Sequence, residues 1–95
     1  MSAYVIFDVE IFDMAQYQTF MAGVKPALEA AGGRYLARAG EHRVYEGDWD
    51  PRRIVILEFP DLAAFESFYH GPVYQNLKSV RDACSRARLV AVQGL

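Results

Sequence analysis

The stretch Arg53–Phe59, RIVILEF, is the strongest strand signal in the chain, and the remaining elements are arranged around it. Alternate residues of a strand point to opposite faces of a sheet. One face of this strand is wholly apolar and consists of Val55, Leu57 and Phe59. The opposite face is apolar except for Glu58. Glu58 is therefore the candidate functional residue of this strand.

Further strands and helical regions flank this stretch on both sides. We predict strands at 4–11, 34–39, 43–46, 53–59 and 88–93, with helical regions after Asp13 and after Asp61. Pro26 is expected to kink or split the first helix because it removes one backbone hydrogen bond. The pair Gly32-Gly33 should end that helix, since glycine adopts positive φ freely. The second helical region should break at residues 70–72, with Pro72 opening a new helix.

The resulting order, βαββαβ, is that of the ferredoxin-like split-βαβ fold, an α+β architecture. We predict a four-stranded antiparallel sheet with all helices on one face, and 95 residues form a single domain, 1–95. The first and third strands are expected side by side at the centre, running parallel to each other. Val5, Phe7 and Val9 should then join the apolar face of the third strand in a core beneath the helices.

The other face of the predicted sheet is too apolar to be left in water. It carries Ile6, Ile54 and Ile56, with Asp8 and Glu58 among them. Helices on one side cannot cover it, and 53% of the residues are hydrophobic. We therefore predict a homodimer in which two sheets meet.

Charge and cysteine content narrow the class of protein. The formal net charge is −2, with both signs spread along the chain, so no nucleic-acid partner is expected. Cys84 is the only cysteine, which excludes a disulfide within the chain and favours a cytoplasmic location. No export signal is visible at the start, and the apolar runs are too short to span a membrane. We expect no membrane partner.

Asp8 and Glu58 are candidate catalytic carboxylates because alternation places both on the uncovered face of central strands. Two carboxylates close together would raise one pKa and create a general acid or base. Arg38, on the neighbouring strand, is placed to neutralise them. The other interpretation is a buried charge cluster that fixes the register of the dimer.

His70 is the third catalytic candidate, since it lies at a helix break and a histidine carries protons near neutral pH. It also suits a capping or surface position. His42 and His70 are far apart and lack ligand spacing to acids or cysteine, so no metal site is expected. Dinucleotide and phosphate-binding fingerprints are missing, and no cofactor is expected.

Aromatic residues with polar tips suit the walls of a pocket for a small organic ligand, although they suit a dimer interface equally. Arg81 falls on the buried stripe of the last helix and needs an acidic partner, for which Glu58, Glu46 and Asp48 are candidates. The predicted ligand-binding set is Tyr35, Arg38, Trp49, Tyr69, Tyr74 and Arg81.

Several stretches together resemble the DUF1330 family, a domain of unknown function within the dimeric α/β-barrel superfamily. They are GGRYLAR at 32–38, EGDW at 46–49, RIVILEFP at 53–60, FYHGPVYQ at 68–75, and Arg81. The chain departs from the family pattern at Gly71, where serine is common, and at Phe12-Asp13-Met14, which lacks the usual Asp-Pro-like opening of the first helix.

The resemblance implies a ferredoxin-like protomer whose sheet packs against its partner's to form a dimeric α/β barrel. The superfamily includes cofactor-free monooxygenases, an isomerase and haem-dependent members, which usually bind ligands between sheet and helices. None of their catalytic residues matches a motif in this chain. The resemblance therefore leaves two hypotheses open. One is a pocket protein, in the enzyme version an isomerase or monooxygenase-like catalyst without a cofactor; the other is a non-catalytic structural or interaction module.

Overall fold

The computed structural model describes residues 1–95 as four strands and three helices. In chain order they are β1 (Ala3–Ile11), α1 (Met14–Ala30), β2 (Arg34–Arg38), β3 (Ile54–Phe59), α2 (Leu62–His70), α3 (Pro72–Cys84) and β4 (Ser85–Gln93). The predicted ferredoxin-like α+β order is confirmed. The second helical region consists of two helices, which meet at Gly71 with Pro72 opening α3, as predicted.

The four strands form one antiparallel sheet in the order β2-β3-β1-β4. The central position of β1 and β3 is confirmed, but the expectation that they run parallel is wrong, since Val5 lies opposite Leu57 in an antiparallel register. Helix α1 returns the chain to the end where β1 began, so β1 and β2 run in the same direction. The chain then reverses direction through the β2–β3 connection. Strand β3 lies between β1 and β2 and is antiparallel to both.

The segment between β2 and β3, residues 39–53, contains no helix or strand. We call it the β2–β3 loop. The strand expected at 43–46 is wrong: this stretch is exposed and pairs with no other strand. Within 43–46, Val44 and Tyr45 are the only apolar residues, and because they are adjacent they cannot form one apolar strand face with which to join the sheet. Strand β4, by contrast, is longer than predicted and begins at Ser85, directly after α3.

Helix α1 is continuous through Pro26, so the expected split is wrong. The lost hydrogen bond is outweighed by packing, because one side of the helix buries Tyr17, Phe20, Val24 and Leu28. Asp13 caps the helix by accepting a hydrogen bond from Gln16 N at 3.2 Å. The predicted termination is confirmed, with Gly32 at φ +86°.

The two faces of the sheet differ sharply in burial. On the covered face, which carries the helices, the predicted core is confirmed: Val5 and Phe59 are fully buried and Val9 is nearly so. On the opposite face, which we call the bare face, Val90 and Val92 lie directly across from Ile6 and Tyr4. These two valines remain 59% and 53% exposed. None of the helices has both the length and the apolar character needed to cross a membrane.

Candidate functional site

A cavity of about 40 Å³ lies between the sheet and the three helices. Of its fourteen lining residues, thirteen are hydrophobic and the remaining one is Arg53. Seven aromatic rings, from the sheet and from all three helices, contribute to the walls, namely Phe7, Tyr17, Phe20, Tyr35, Phe65, Phe68 and Tyr74. We call this space the helix–sheet cavity. Its walls favour an apolar occupant, and its single cation supplies one point of polar recognition.

Arg53 enters the helix–sheet cavity without an acidic partner. Its Nη2 lies 3.4 Å from the Sδ atom of Met21, and its guanidinium lies 5.8 Å from the centre of the Tyr17 ring. The buried Nε atom has no hydrogen-bond partner. Sequence reasoning missed this residue. Its position could have been predicted from alternation along β3. Arg53 is separated from Val55, Leu57 and Phe59 by even numbers of positions, so its side chain points to the covered face with theirs.

Arg81 is a second buried arginine, only 3% exposed. It donates from Nη1 to Tyr74 Oη at 2.6 Å and from Nη2 to Asp82 Oδ1 at 3.2 Å. The prediction that Glu58, Glu46 or Asp48 supplies its acidic partner is therefore wrong. The neighbouring residue in the helix supplies it, because the long side chain can fold back along its own turn.

Two buried tyrosines line the helix–sheet cavity beside these arginines. Burial raises the pKa of Tyr17 to about 12, although the charges of Arg53 and Arg81 act in the opposite direction. Burial likewise raises the pKa of Tyr74, against the pull of Arg81. Both hydroxyls are therefore protonated at neutral pH and are suited to donate hydrogen bonds rather than to act as bases.

Asp8 lies on the bare face, where it is the centre of a cluster of hydrogen-bond donors. Its Oδ1 accepts from the backbone N of Arg52 at 2.9 Å and of Arg53 at 3.3 Å. Its Oδ2 accepts from Trp49 Nε1 at 3.4 Å and Arg88 Nη2 at 3.3 Å. Burial by itself raises the pKa of Asp8, but these donors outweigh it and hold the pKa below its ordinary value. The carboxylate thus stays ionised and ties the β2–β3 loop to the sheet.

Asp8 and Glu58 share the bare face, as predicted, but they are not neighbours. Asp8 lies opposite Ile54 and Glu58 lies opposite Tyr4. Four residues along a strand separate these two levels, roughly 13 Å. The expectation of a close carboxylate pair with one raised pKa is therefore wrong.

Glu58 pairs with Arg34 and not with Arg38. The Nε atom of Arg34 lies 2.6 Å from Glu58 Oε1, and this bond is the main reason that the pKa of Glu58 is lowered. Arg38 instead lies over the ring of Tyr35, with its guanidinium carbon 4.7 Å from the ring centre. A bulge between Tyr35 and Ala37 shifts the register of β2, and alternation alone could not reveal it.

His70 ends α2, as predicted, but its side chain is exposed. Its Nε2 lies 3.1 Å from Glu66 Oε2, one turn earlier on the same helix. Tyr69 is half-buried, and its ring centre lies 5.2 Å from that of Tyr74. The structure thus brings Tyr35, Tyr74 and Arg81 to or beside the helix–sheet cavity. Trp49 lies on the bare face.

The bare face also carries an open cleft of about 960 Å³. Ile6 and Val90 contribute to its floor, and the donors around Asp8 line one side. Its charged residues include four carboxylates and three arginines, a nearly balanced set: Asp8, Glu10, Asp48, Asp50, Arg52, Arg86 and Arg88. No group of three or more histidine, cysteine, aspartate or glutamate side chains is placed to hold a metal ion.

Together, these features define a ferredoxin-like α+β protein with a small apolar cavity between its layers. The family model of the domain of unknown function DUF1330 matches residues 2–95, and the chain belongs to this family. The family resemblance seen in the sequence is confirmed. No curated protein matches the chain significantly in sequence.

Several solved structures share the fold. The RPA0582 protein of unknown function from Rhodopseudomonas palustris is 20% identical, with a TM-score of 0.80 over 99% of this chain and 82% of that one. A dimeric ferredoxin-like protein of unknown function from Jannaschia sp. CCS1 is 19% identical, with a TM-score of 0.72 over 99% of this chain and 100% of that one. A mutant of SnoaB, a cofactor-independent oxygenase from Streptomyces nogalater, is 14% identical, with a TM-score of 0.71 over 98% of this chain and 92% of that one.

Proposed function

We propose that this protein is a homodimer in which each protomer binds a small organic molecule in its helix–sheet cavity. The observation that carries the proposal is the cavity itself, which is walled by thirteen hydrophobic residues and has one cation among them. Tyr35 and Tyr74 contribute ring surface for the ligand. Arg81 holds Tyr74 in place through its 2.6 Å hydrogen bond.

The size of the cavity limits the ligand to a compact molecule. About 40 Å³ has room for about three water molecules. A larger occupant requires one wall to move, and α2 is the wall best suited to do so because none of its residues is fully buried. Phe65 and Phe68 line the cavity from this helix, so its displacement opens the space directly.

The bare face is the surface through which we propose that the dimer forms. Val90 and Val92 are more than half exposed there, beside Ile6 and Ile56. The neighbour from Jannaschia sp. CCS1 is described as dimeric, which supports the same assembly for this fold. In such a dimer, the ion pair of Glu58 with Arg34 and the donor cluster around Asp8 would fix the register of the two sheets. We also propose a cytoplasmic location, to which the unpaired and buried Cys84 is suited.

SnoaB supplies a precedent for chemistry without a cofactor on this fold, since it is a cofactor-independent oxygenase. In this chain, however, the three catalytic candidates lie apart from the helix–sheet cavity, with lowered carboxylate pKa values at Asp8 and Glu58. The geometry therefore favours ligand binding as the function to test first.

The test is titration of the isotopically labelled protein with benzyl alcohol, a small neutral aromatic probe, followed by amide chemical shifts. We expect shifts at residues that line the helix–sheet cavity. Val24→Phe fills this space and should weaken binding by about tenfold or more. Val73→Phe is the matched control, because Val73 is 61% exposed and does not line the cavity. Shifts confined to the bare face, or none at saturating probe, would refute the proposal.

A further inference from the structure

We infer that the ligand of the helix–sheet cavity is a compact apolar organic anion, such as an aromatic or branched carboxylate, whose charge pairs with Arg53. This inference rests on the proposed function and adds the chemical class of the ligand.

The first observation in support is that the positive charge of Arg53 has no negatively charged partner in the protein. Arginine is permanently cationic. No carboxylate lies within ion-pair distance of the Arg53 guanidinium, although the chain forms eight ion pairs elsewhere. Asp8 accepts a hydrogen bond from the backbone N of Arg53 and not from its side chain. Arg53 is half-buried, and the part of its guanidinium that faces the apolar cavity would be stabilised by an anion entering there.

The second support is an unused donor. The Nε of Arg53 is buried and donates to nothing, while Nη2 has only the weak sulfur acceptor of Met21 at 3.4 Å. A guanidinium presents its donors in a planar fork that fits the two oxygens of a carboxylate. Arg81 makes the contrast clear, since its two terminal nitrogens already serve Tyr74 and Asp82. The Nε of Arg81 is also unpaired, but Arg81 does not line the cavity, whereas Arg53 lines it and has no oxygen acceptor for any of its side-chain nitrogens.

The third support is the composition of the rest of the cavity. The other thirteen lining residues are hydrophobic, and seven of them are aromatic, namely Phe7, Tyr17, Phe20, Tyr35, Phe65, Phe68 and Tyr74. Apart from the charge, the ligand must therefore be apolar, which disfavours sugars, phosphates and amino acids. The small volume further favours a ligand with few heavy atoms.

The experiment compares pairs of ligands that differ in charge and hardly in shape: benzoate with benzamide, and isobutyrate with isobutyramide. We expect each anion to bind the wild-type protein about tenfold more tightly than its amide. Arg53→Met keeps an unbranched side chain but removes the guanidinium and its charge, and it should abolish this preference while the amides still bind. Arg52→Met is the matched control, since Arg52 is exposed, adjacent in sequence and absent from the cavity wall.

The outcomes separate this inference from the proposed function. Equal affinity for benzoate and benzamide would overturn the inference of an anion and leave the cavity as a neutral binding site. Binding of neither pair would overturn both. Loss of the preference in Arg52→Met as well would place the anion on the bare face. If Arg53→Met does not fold, the side-chain Nε–H resonance of Arg53 in the wild-type protein decides: it should shift with benzoate and stay in place with benzamide.

Discussion

The two faces of the sheet are built from the same strands, with neighbouring residues assigned to opposite sides, yet their surroundings differ completely. On the covered face, Val5 is fully buried beneath the helices. Val5 lies opposite Ala91 of β4. The residue next to Ala91, Val90, points to the bare face and is 59% exposed. Both positions carry valine. The apolar content of a strand therefore does not decide burial; the presence of a covering layer does, and the bare face lacks that layer within one protomer.

The charges of the two faces differ in the same way. The buried charge of the bare face, Asp8, has four hydrogen-bond donors around it. Between the covered face and the helices lie Arg53, just before β3, and Arg81, on α3, each with an unpaired Nε. A satisfied charge is typical of structural support, whereas a charge with unused donors is available to a ligand. The comparison is consistent with the proposals that the dimer forms through the bare face and that the ligand binds beneath the helices.

Removal of a core ring from the covered face should give the largest effect. Phe59 is fully buried and packs against Phe65 and Phe68, with ring centres 5.3 and 5.4 Å away. We expect Phe59→Ala to lower the free energy of unfolding by about 3–5 kcal/mol in chemical denaturation. Phe12→Ala, at a phenylalanine that is 61% exposed, should change it by about 0.5 kcal/mol or less. Similar losses for both variants would contradict the contrast in burial.

A charge placed on the bare face should act on assembly instead. In the proposed two-fold dimer, Val90→Glu would bring a carboxylate from each protomer into the interface. We expect dimer dissociation to become about a hundredfold easier, or about 3 kcal/mol, in light scattering over a dilution series. Circular dichroism of the separated protomers should remain native. Val73→Glu, at an exposed position of α3, should leave the dimer intact. A wild-type protein that is monomeric at micromolar concentration would remove the basis of this prediction.

Loss of the Asp8 charge should have an intermediate effect. Asp8→Asn replaces a carboxylate that accepts four hydrogen bonds with an amide, whose nitrogen must face either the donors of Trp49 and Arg88 or the two backbone donors. We expect the free energy of unfolding to fall by about 2 kcal/mol. Limited proteolysis within the β2–β3 loop should accelerate, because the loop loses its attachment to the sheet. Asp48→Asn, at an exposed loop residue, is the control, and an equal loss there would argue against a specific role for Asp8.

The sequence allowed the pattern of each sheet face to be predicted, because alternation along β1 and β3 is a local property. Val5, Val9 and Phe59 fell on the covered face for this reason. The direction of β3 relative to β1 was not predictable in the same way, since it depends on how the chain returns through α1 and β2. At Pro26, the local preference of proline for a helix break is outweighed by the packing of the whole helix.

The candidate site was harder to predict because its contacts join distant parts of the chain. Asp8 meets Trp49 and Arg88 across 41 and 80 positions of sequence, and the β2–β3 loop has no periodicity that would indicate its path. Tyr35 and Tyr74, which were predicted to bind a ligand, both line the helix–sheet cavity. Arg53 could have been predicted from alternation, because it shares the parity of Val55, Leu57 and Phe59.

The smallest expected effect is the pH dependence that Asp8 adds to stability. Its folded-state pKa is held below the ordinary value of 3.8, so the carboxylate stabilises the fold above that pH, and this stabilisation is lost as pH falls through the folded pKa. We therefore expect the difference in unfolding free energy between wild type and Asp8→Asn to be constant near neutral pH and to shrink below about pH 4. Denaturant titrations at a series of acidic pH values measure this difference. Glu58 and Asp82 also have lowered pKa values and add the same sign of dependence, but they remain in both proteins and cancel in the comparison. If the unfolding free energies of the two proteins stayed a constant distance apart down to about pH 2, the donors around Asp8 would stabilise its neutral form as well as its charged form. The conclusion that the charge of Asp8 supports the fold would then be wrong.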